Sequence, residues 1–167
     1  MKTKAMMALA LALAPTLAWA APDFSGNWVR DNARSDPGNY PVYWLTRVAP
    51  GGGGGGGNQE QVVEIRQTGG SLLVTNPARP VRTYALDGKA HAAATDTGLQ
   101  RASITAAVQD DALTITTAQP YGGMPGNVAA TFTDTWRLST DGKVLTITTV
   151  RDTPARRQES KEVFNRR

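Results

Sequence analysis

The 167-residue chain contains no cysteine and one histidine, and only 19 % of it is charged. Without cysteine there is no disulfide framework, no thiolate metal ligand and no thiol nucleophile. One imidazole cannot supply the two or three of a usual zinc or non-haem iron site. That residue, His91, lies in Lys89-Ala90-His91-Ala92-Ala93, a polar turn region with no group placed to orient it. An exposed loop histidine is therefore expected, not a general base. The 17 glycines lack the Lys-Ser/Thr flank and strand–helix context of a phosphate-binding loop. Asp110-Asp111, Asp87-Gly88 and Asp141-Gly142 read as turns. No catalytic residues nominate themselves, so the chain reads as a non-enzyme with no cofactor and no metal site.

The first twenty residues have their own pattern. Lys2 and Lys4 precede the apolar run Ala5–Leu13, Pro15 breaks it, and Ala18-Trp19-Ala20 forms an A-x-A cleavage site. This is the layout of a secretory signal peptide, too short to span a bilayer. Cleavage after Ala20 leaves 147 residues and lowers the net charge from +4 to +2. No cysteine follows to carry a lipid. The expected product is one domain, 21–167, periplasmic or secreted, with no integral membrane segment. Its basic residues are scattered, apart from Arg156, Arg157, Lys161, Arg166 and Arg167 near the end. None alternates with aromatics in a stripe, which argues against a nucleic-acid partner.

No sustained 3.6-residue periodicity follows residue 20. Short Thr/Val/Ile-rich runs separated by turn signals predict strands. They are Phe24–Asp31, Gln61–Gln67, Leu72–Asn76, Val81–Leu86, Leu99–Val108, Ala112–Ala118, Val128–Leu138, Val144–Asp152 and Gln158–Asn165. Leu113–Thr117 and Leu145–Thr149 are identical, Leu-Thr-Ile-Thr-Thr, and each follows an Asp-containing turn. A repeated hairpin unit suits a meander closing on itself, because closure removes exposed sheet edges. The expected fold is all-β: a single up-and-down antiparallel barrel of about eight to nine strands.

Alternation assigns the inward face. In Val128–Leu138 it reads Val128, Ala130, Phe132, Asp134, Trp136, Leu138, with Asp134 breaking an apolar row. A four-residue loop, Thr140–Lys143, sets Leu138 opposite Leu145, Trp136 opposite Ile147, Asp134 opposite Thr149 and Phe132 opposite Arg151. Asp134 and Arg151 are then diagonal neighbours able to pair. An Asp110-Asp111 turn likewise sets Val108, Ala106 and Ile104 against Leu113, Ile115 and Thr117. Trp28, Arg30 and Phe164 also face inward. Outside this rhythm lie residues 32–58, which end in Gly51–Gly57 and contain the aromatic stretch Tyr40–Leu45. Seven glycines lose too much backbone entropy to hold one shape, so a flexible loop is expected, with its aromatics folded back as a lid.

Six segments stand in order along the chain: Phe24-Ser25-Gly26-Asn27-Trp28, Ser35-Asp36, Ile65-Arg66-Gln67-Thr68-Gly69, Leu86–Lys89, Trp136–Thr146 and Val163–Arg166. In them the chain resembles secreted bacterial lipocalin-like proteins of the calycin type. The resemblance implies an up-and-down barrel in which Trp28 packs at one end against a basic residue, for which Arg166 is the candidate. The long 32–58 insertion and the missing disulfide depart from the pattern.

Two non-enzymatic functions follow. In the first, the barrel holds a small apolar or amphipathic molecule, contacted by Trp28, Arg30, Tyr43, Trp44, Phe132, Asp134, Trp136 and Arg151. In the second, a barrel with a filled core serves as an interaction or structural module with a cell-envelope protein partner. Because loop length alone costs little, shortening Gly51–Gly57 to two residues should leave the far-ultraviolet circular dichroism of the purified protein unchanged. A collapse of the β signal would contradict the loop assignment.

Overall fold

The computed structural model of the chain describes residues 21–36, 62–76, 81–93, 102–120 and 129–167. The segments 1–20, Tyr40–Leu45 and Gly51–Gly57, and with them the leader, lid and flexible-loop readings, lie outside the described residues. Ten strands are present: β1 (Gly26–Arg30), β2 (Val62–Gln67), β3 (Ser71–Thr75), β4 (Arg82–Ala85), β5 (Ala90–Ala92), β6 (Ser103–Gln109), β7 (Ala112–Pro120), β8 (Ala129–Leu138), β9 (Val144–Thr153) and β10 (Arg156–Arg166). They form one antiparallel sheet in the order β4-β3-β2-β1-β10-β9-β8-β7-β6-β5.

Every strand except those at the sheet's ends lies beside its neighbours in sequence, and β1 meets β10. The two end strands, β4 and β5, are themselves joined only by 86–89. β4 packs against β6, and the Gly88 N–H donates to the Ala106 carbonyl at 3.0 Å. The sheet is thus a nearly closed up-and-down barrel. The count of ten corrects the expected eight to nine. An all-antiparallel ring needs an even number of strands, and nine predicted runs cannot supply it. The missing strand is β5, Ala90-His91-Ala92, which contains no β-branched residue and no apolar alternation to announce it.

The predicted registers are the observed ones. Leu138, Trp136, Asp134 and Phe132 stand opposite Leu145, Ile147, Thr149 and Arg151, and Val108, Ala106 and Ile104 opposite Leu113, Ile115 and Thr117. The 139–143 turn that sets β8–β9 shares its chemistry with the 86–89 connection between β4 and β5. In Asp87-Gly88-Lys89 and Asp141-Gly142-Lys143 the Asp Oδ1 accepts the Lys N–H, at 2.9 and 3.1 Å. The glycine takes φ of +70° and +68° respectively, which side chains disfavour.

Up-and-down order sorts the connections. The short ones, 68–70, 86–89, 110–111 and 139–143, gather at one end, the turn end. The chain leaves β1, β3, β5 and β7 from the other, the loop end, where Pro154-Ala155 also joins β9 to β10. At the turn end the segment before β1 crosses under the barrel. Phe24 is fully buried and meets Trp136 edge-on, with centroids 6.1 Å apart and rings at 81°. Gln67 fixes this segment: its Oε1 accepts the Phe24 N–H at 3.0 Å and its Nε2 donates to the Pro22 carbonyl at 3.0 Å. Trp28 is also fully buried and donates Nε1–H to the Phe24 carbonyl at 2.9 Å. The Arg166 guanidinium stacks on the Trp28 ring, 4.5 Å from its centroid. It thereby takes the place expected of the basic partner of Trp28.

Gly26 makes this crossing possible. Its φ is +145°, and a Cβ there would lie 3.4 Å from Arg166 Nη1 and 3.6 Å from Trp28 Nε1. Gly26→Ala is therefore expected to cost about 1–3 kcal/mol through backbone strain. The check is urea unfolding beside Gly69→Ala, a site where a Cβ meets nothing within 4 Å. Equal midpoints for the two variants would remove Gly26 from this role.

Candidate functional site

The interior changes character along its axis. Toward the turn end, Phe24, Trp28, Ile65, Leu72, Leu113, Trp136, Leu145, Ile147 and Phe164 form a closely buried floor. Toward the loop end, the inward rows of β1 and of β7 to β10 turn polar. β7 changes from Ile115 to Thr117, β8 from Trp136 to Asp134, β9 from Ile147 to Thr149 and Arg151, and β10 from Phe164 to Glu162. β1 changes from Trp28 to Arg30. Together these make a polar belt above the floor.

Two carboxylates lie in the belt, Asp134 at 2 % exposure and Glu162 at 3 %. Burying a charge without compensation is costly, and each carboxylate has a specific neighbour. Thr149 donates its hydroxyl to Asp134 Oδ1 at 2.7 Å. Arg30 donates Nε–H to Glu162 Oε1 at 3.0 Å. Burial pushes the Asp134 carboxyl up to about 7; the Thr149 hydrogen bond opposes that rise and the Glu162 charge adds to it. Tyr84, inward on β4, lies close enough for Asp134 to influence it. Desolvation raises its phenol well above the ordinary range, Arg82 opposes and Asp134 reinforces.

Arg30 is committed further. It donates Nη1–H to Asn32 Oδ1 and Nη2–H to the Asp36 carbonyl. These bonds hold residues 31–36 as a strap over β10. Val163 donates its N–H to Ser35 Oγ at 2.9 Å, and Lys161 donates to Asp36 Oδ2 at 2.6 Å. Beside the strap, Glu162, Val163 and Phe164 are all buried in succession.

The structure divides the sequence-predicted site. Arg30 and Asp134 are in the belt. Phe132 and Arg151 are half-buried at the level above it, with the Arg151 guanidinium carbon 5.7 Å from the Phe132 centroid. Trp28 and Trp136 belong to the floor and do not line the belt. Tyr43 and Trp44 lie outside the described residues. The expected Asp134–Arg151 pair is not what forms. Thr149, directly across the ladder, is nearer to Asp134 than its diagonal neighbour, and Arg151 turns to the ring directly across from it. Sequence reasoning missed Glu162 and Tyr84. Both had a signal: inward Phe164 puts Glu162 on the same face, two residues away, and Tyr84 alternates with Leu86 in the Val81–Leu86 run.

Elsewhere, His91 sits on β5, its Nε2 3.0 Å from Asp87 Oδ1, exposed and near the turn end. Among the described residues no three His, Cys, Asp or Glu side chains are grouped to hold a metal ion, and no helix is long and apolar enough to cross a membrane. On the outside of the barrel a depression of about 470 Å³ is lined by Thr131, Thr133, Val150, Asp152, Thr153, Pro154 and Arg157. It carries no buried charge. Compared with protein-family models, with curated proteins and with solved structures, the chain has no match.

A carboxyl that titrates near 7 when folded and near its ordinary 3.8 when unfolded makes the folded state bind the extra proton. Stability is then fully present below about pH 4 and falls as pH rises to about 7. Asp134→Asn keeps an oxygen for Thr149 and removes the titration. The fall in Tm between pH 5 and pH 8 should be smaller in this variant than in the parent. Parallel profiles would mean that Asp134 does not carry the proton.

Proposed function

We propose that the chain is an exported β-barrel protein that binds a small amphipathic molecule at the loop end of its interior. One observation carries this: ionisable groups are buried directly above an apolar floor that already closes the barrel. A filled core of this kind gains no stability from buried charges, and apolar residues of similar volume are often the more stable choice. Burial that shifts the ionisation of such groups is one mark of a functional site. Phe132 and Ile104 share the inward face there, giving an apolar contact beside polar ones. The ligand would sit above Trp28 and Trp136, not between them.

Export is read from the pattern of residues 1–20. The wall supports a barrel outside the bilayer, since the interior is apolar while Arg66, Arg137, Glu159 and Lys161 are exposed on the strands. A membrane barrel reverses that arrangement. A second reading, a non-enzymatic module that docks an envelope protein, is favoured by the floor itself, where Phe24, Trp28 and Trp136 are all fully buried.

Native mass spectrometry of protein purified from its own host distinguishes the two. A reproducible non-covalent adduct of small mass is the expected result. A clean mass of the bare chain, with one protein co-purifying, would replace the first reading by the second.

A further inference from the structure

Two indoles are fully buried in the floor, and they differ in one respect. Trp28 donates Nε1–H to the Phe24 carbonyl at 2.9 Å. Trp136 Nε1–H, equally buried, has no acceptor among the described residues. Leaving a buried donor unmade costs the fold stability. The seal does not require this donor. The edge-on contact with Phe24 uses the Trp136 ring alone, and so do the inward neighbours Leu113 and Ile147 on the flanking strands. A phenylalanine would supply that ring without the cost.

The donor stands where the floor meets the belt. Asp134 is the next inward residue of β8, about 7 Å along the strand. It is 2 % exposed, and its Oδ1 accepts the Thr149 hydroxyl. Burial pushes its carboxyl up to about 7, and a protonated carboxyl has an O–H to donate. An oxygen without charge is the complement of such a boundary. A charged head group would give up its hydration beside the apolar floor. A carboxylate would also meet the buried carboxyl groups of Asp134 and Glu162. A cation would need Asp134 ionised, which burial opposes, and Glu162 is already held by Arg30.

We infer that the bound molecule is an uncharged amphiphile that enters polar end first, its alcohol or carbonyl oxygen accepting the Trp136 Nε1–H beside Asp134. This rests on the amphiphile-binding reading above and assigns it a head group and a direction. The apolar part then runs toward Phe132, the inward residue beyond Asp134 on the same strand. Trp136 becomes the residue that selects the head group, while Trp28 stays with the scaffold.

The test reads both indoles at once. Their Nε1–H resonances, assigned by through-bond experiments, are followed in isotope-labelled protein. Octanol, methyl octanoate, octanoate and octylammonium are the probes, one chain length with different heads. Octanol and methyl octanoate should move the Trp136 resonance downfield and leave that of Trp28 in place. They should bind about fivefold or more tightly than either charged probe. Trp136→Phe, with circular dichroism checked against the parent, should lower octanol affinity about fivefold, the worth of one hydrogen bond. Octanol binding that leaves the Trp136 resonance unmoved, or moves that of Trp28 equally, would overturn the assigned donor and leave amphiphile binding standing. Tighter binding of octanoate or octylammonium would overturn the uncharged head. No response to any probe, anywhere in the spectrum, would remove the amphiphile reading itself.

Discussion

Arg166 on Trp28, Trp28 on the Phe24 carbonyl, and Phe24 against the edge of Trp136 form one continuous contact across the turn end of the barrel. The rest of the fold hangs on it. The stack joins the first strand to the last, through the ladder of Trp28 with Arg166 and of Arg30 with Phe164. It therefore fixes the place where the meander returns on itself. It also seals the floor, so that the inward leucines and isoleucines above it pack against rings and not against water. Large aromatic side chains bring the most apolar area per residue to such a seal. The Trp28 indole and the Arg166 guanidinium find hydrogen-bond acceptors without leaving it.

With that end secured, the loop end tolerates polar groups that a small barrel would otherwise exclude. The repeated segment shows how local the difference is. Leu113–Thr117 and Leu145–Thr149 are the same five residues on the two strands flanking β8, but they are offset by two positions. Asp134 has Ile115 on one side and Thr149 on the other. The hydroxyl that reaches the carboxylate comes from the second copy, while the last Thr of the first copy stands opposite Phe132. Register, not residue type, decides which threonine satisfies the acid and which does not.

Much of the fold was legible because its rules are local. Alternation gave the inward rows, and the turns gave the registers of β6–β7 and β8–β9 residue by residue. The motifs behind the resemblance have structural work that accounts for their form. Gly26 takes a φ side chains avoid, Gln67 clamps Phe24, Ser35-Asp36 straps β10, and the two Asp-Gly-Lys turns hold their own backbones. All of these serve closure, and none lies in the belt. The belt was only half legible. Asp134, Arg30, Phe132 and Arg151 broke or shared an inward row and could be picked out. Glu162 shares the inward face of Phe164, but its ion-pair partner Arg30 stands 132 residues away, which no single strand reveals. Strand β5 escaped for the opposite reason: three exposed residues gain their strand conformation from β6 alone, and nothing in Ala-His-Ala demands it.

The division between the two ends also argues about what each is for. The buried charges are not needed for the β6–β7 and β8–β9 registers, which follow from turn length and apolar pattern without them. Salt bridges that add nothing to register and little to stability are weak candidates for a purely structural role. Arg30 is the exception, because its three bonds tie the strap down, and it belongs with the scaffold. Asp134 ties nothing to anything except one hydroxyl on the adjacent strand, at the cost of a carboxyl driven far from its ordinary ionisation by burial. Among the described residues Asp134 faces the loop end of the interior, where Phe132 and Arg151 stand across the ladder from each other.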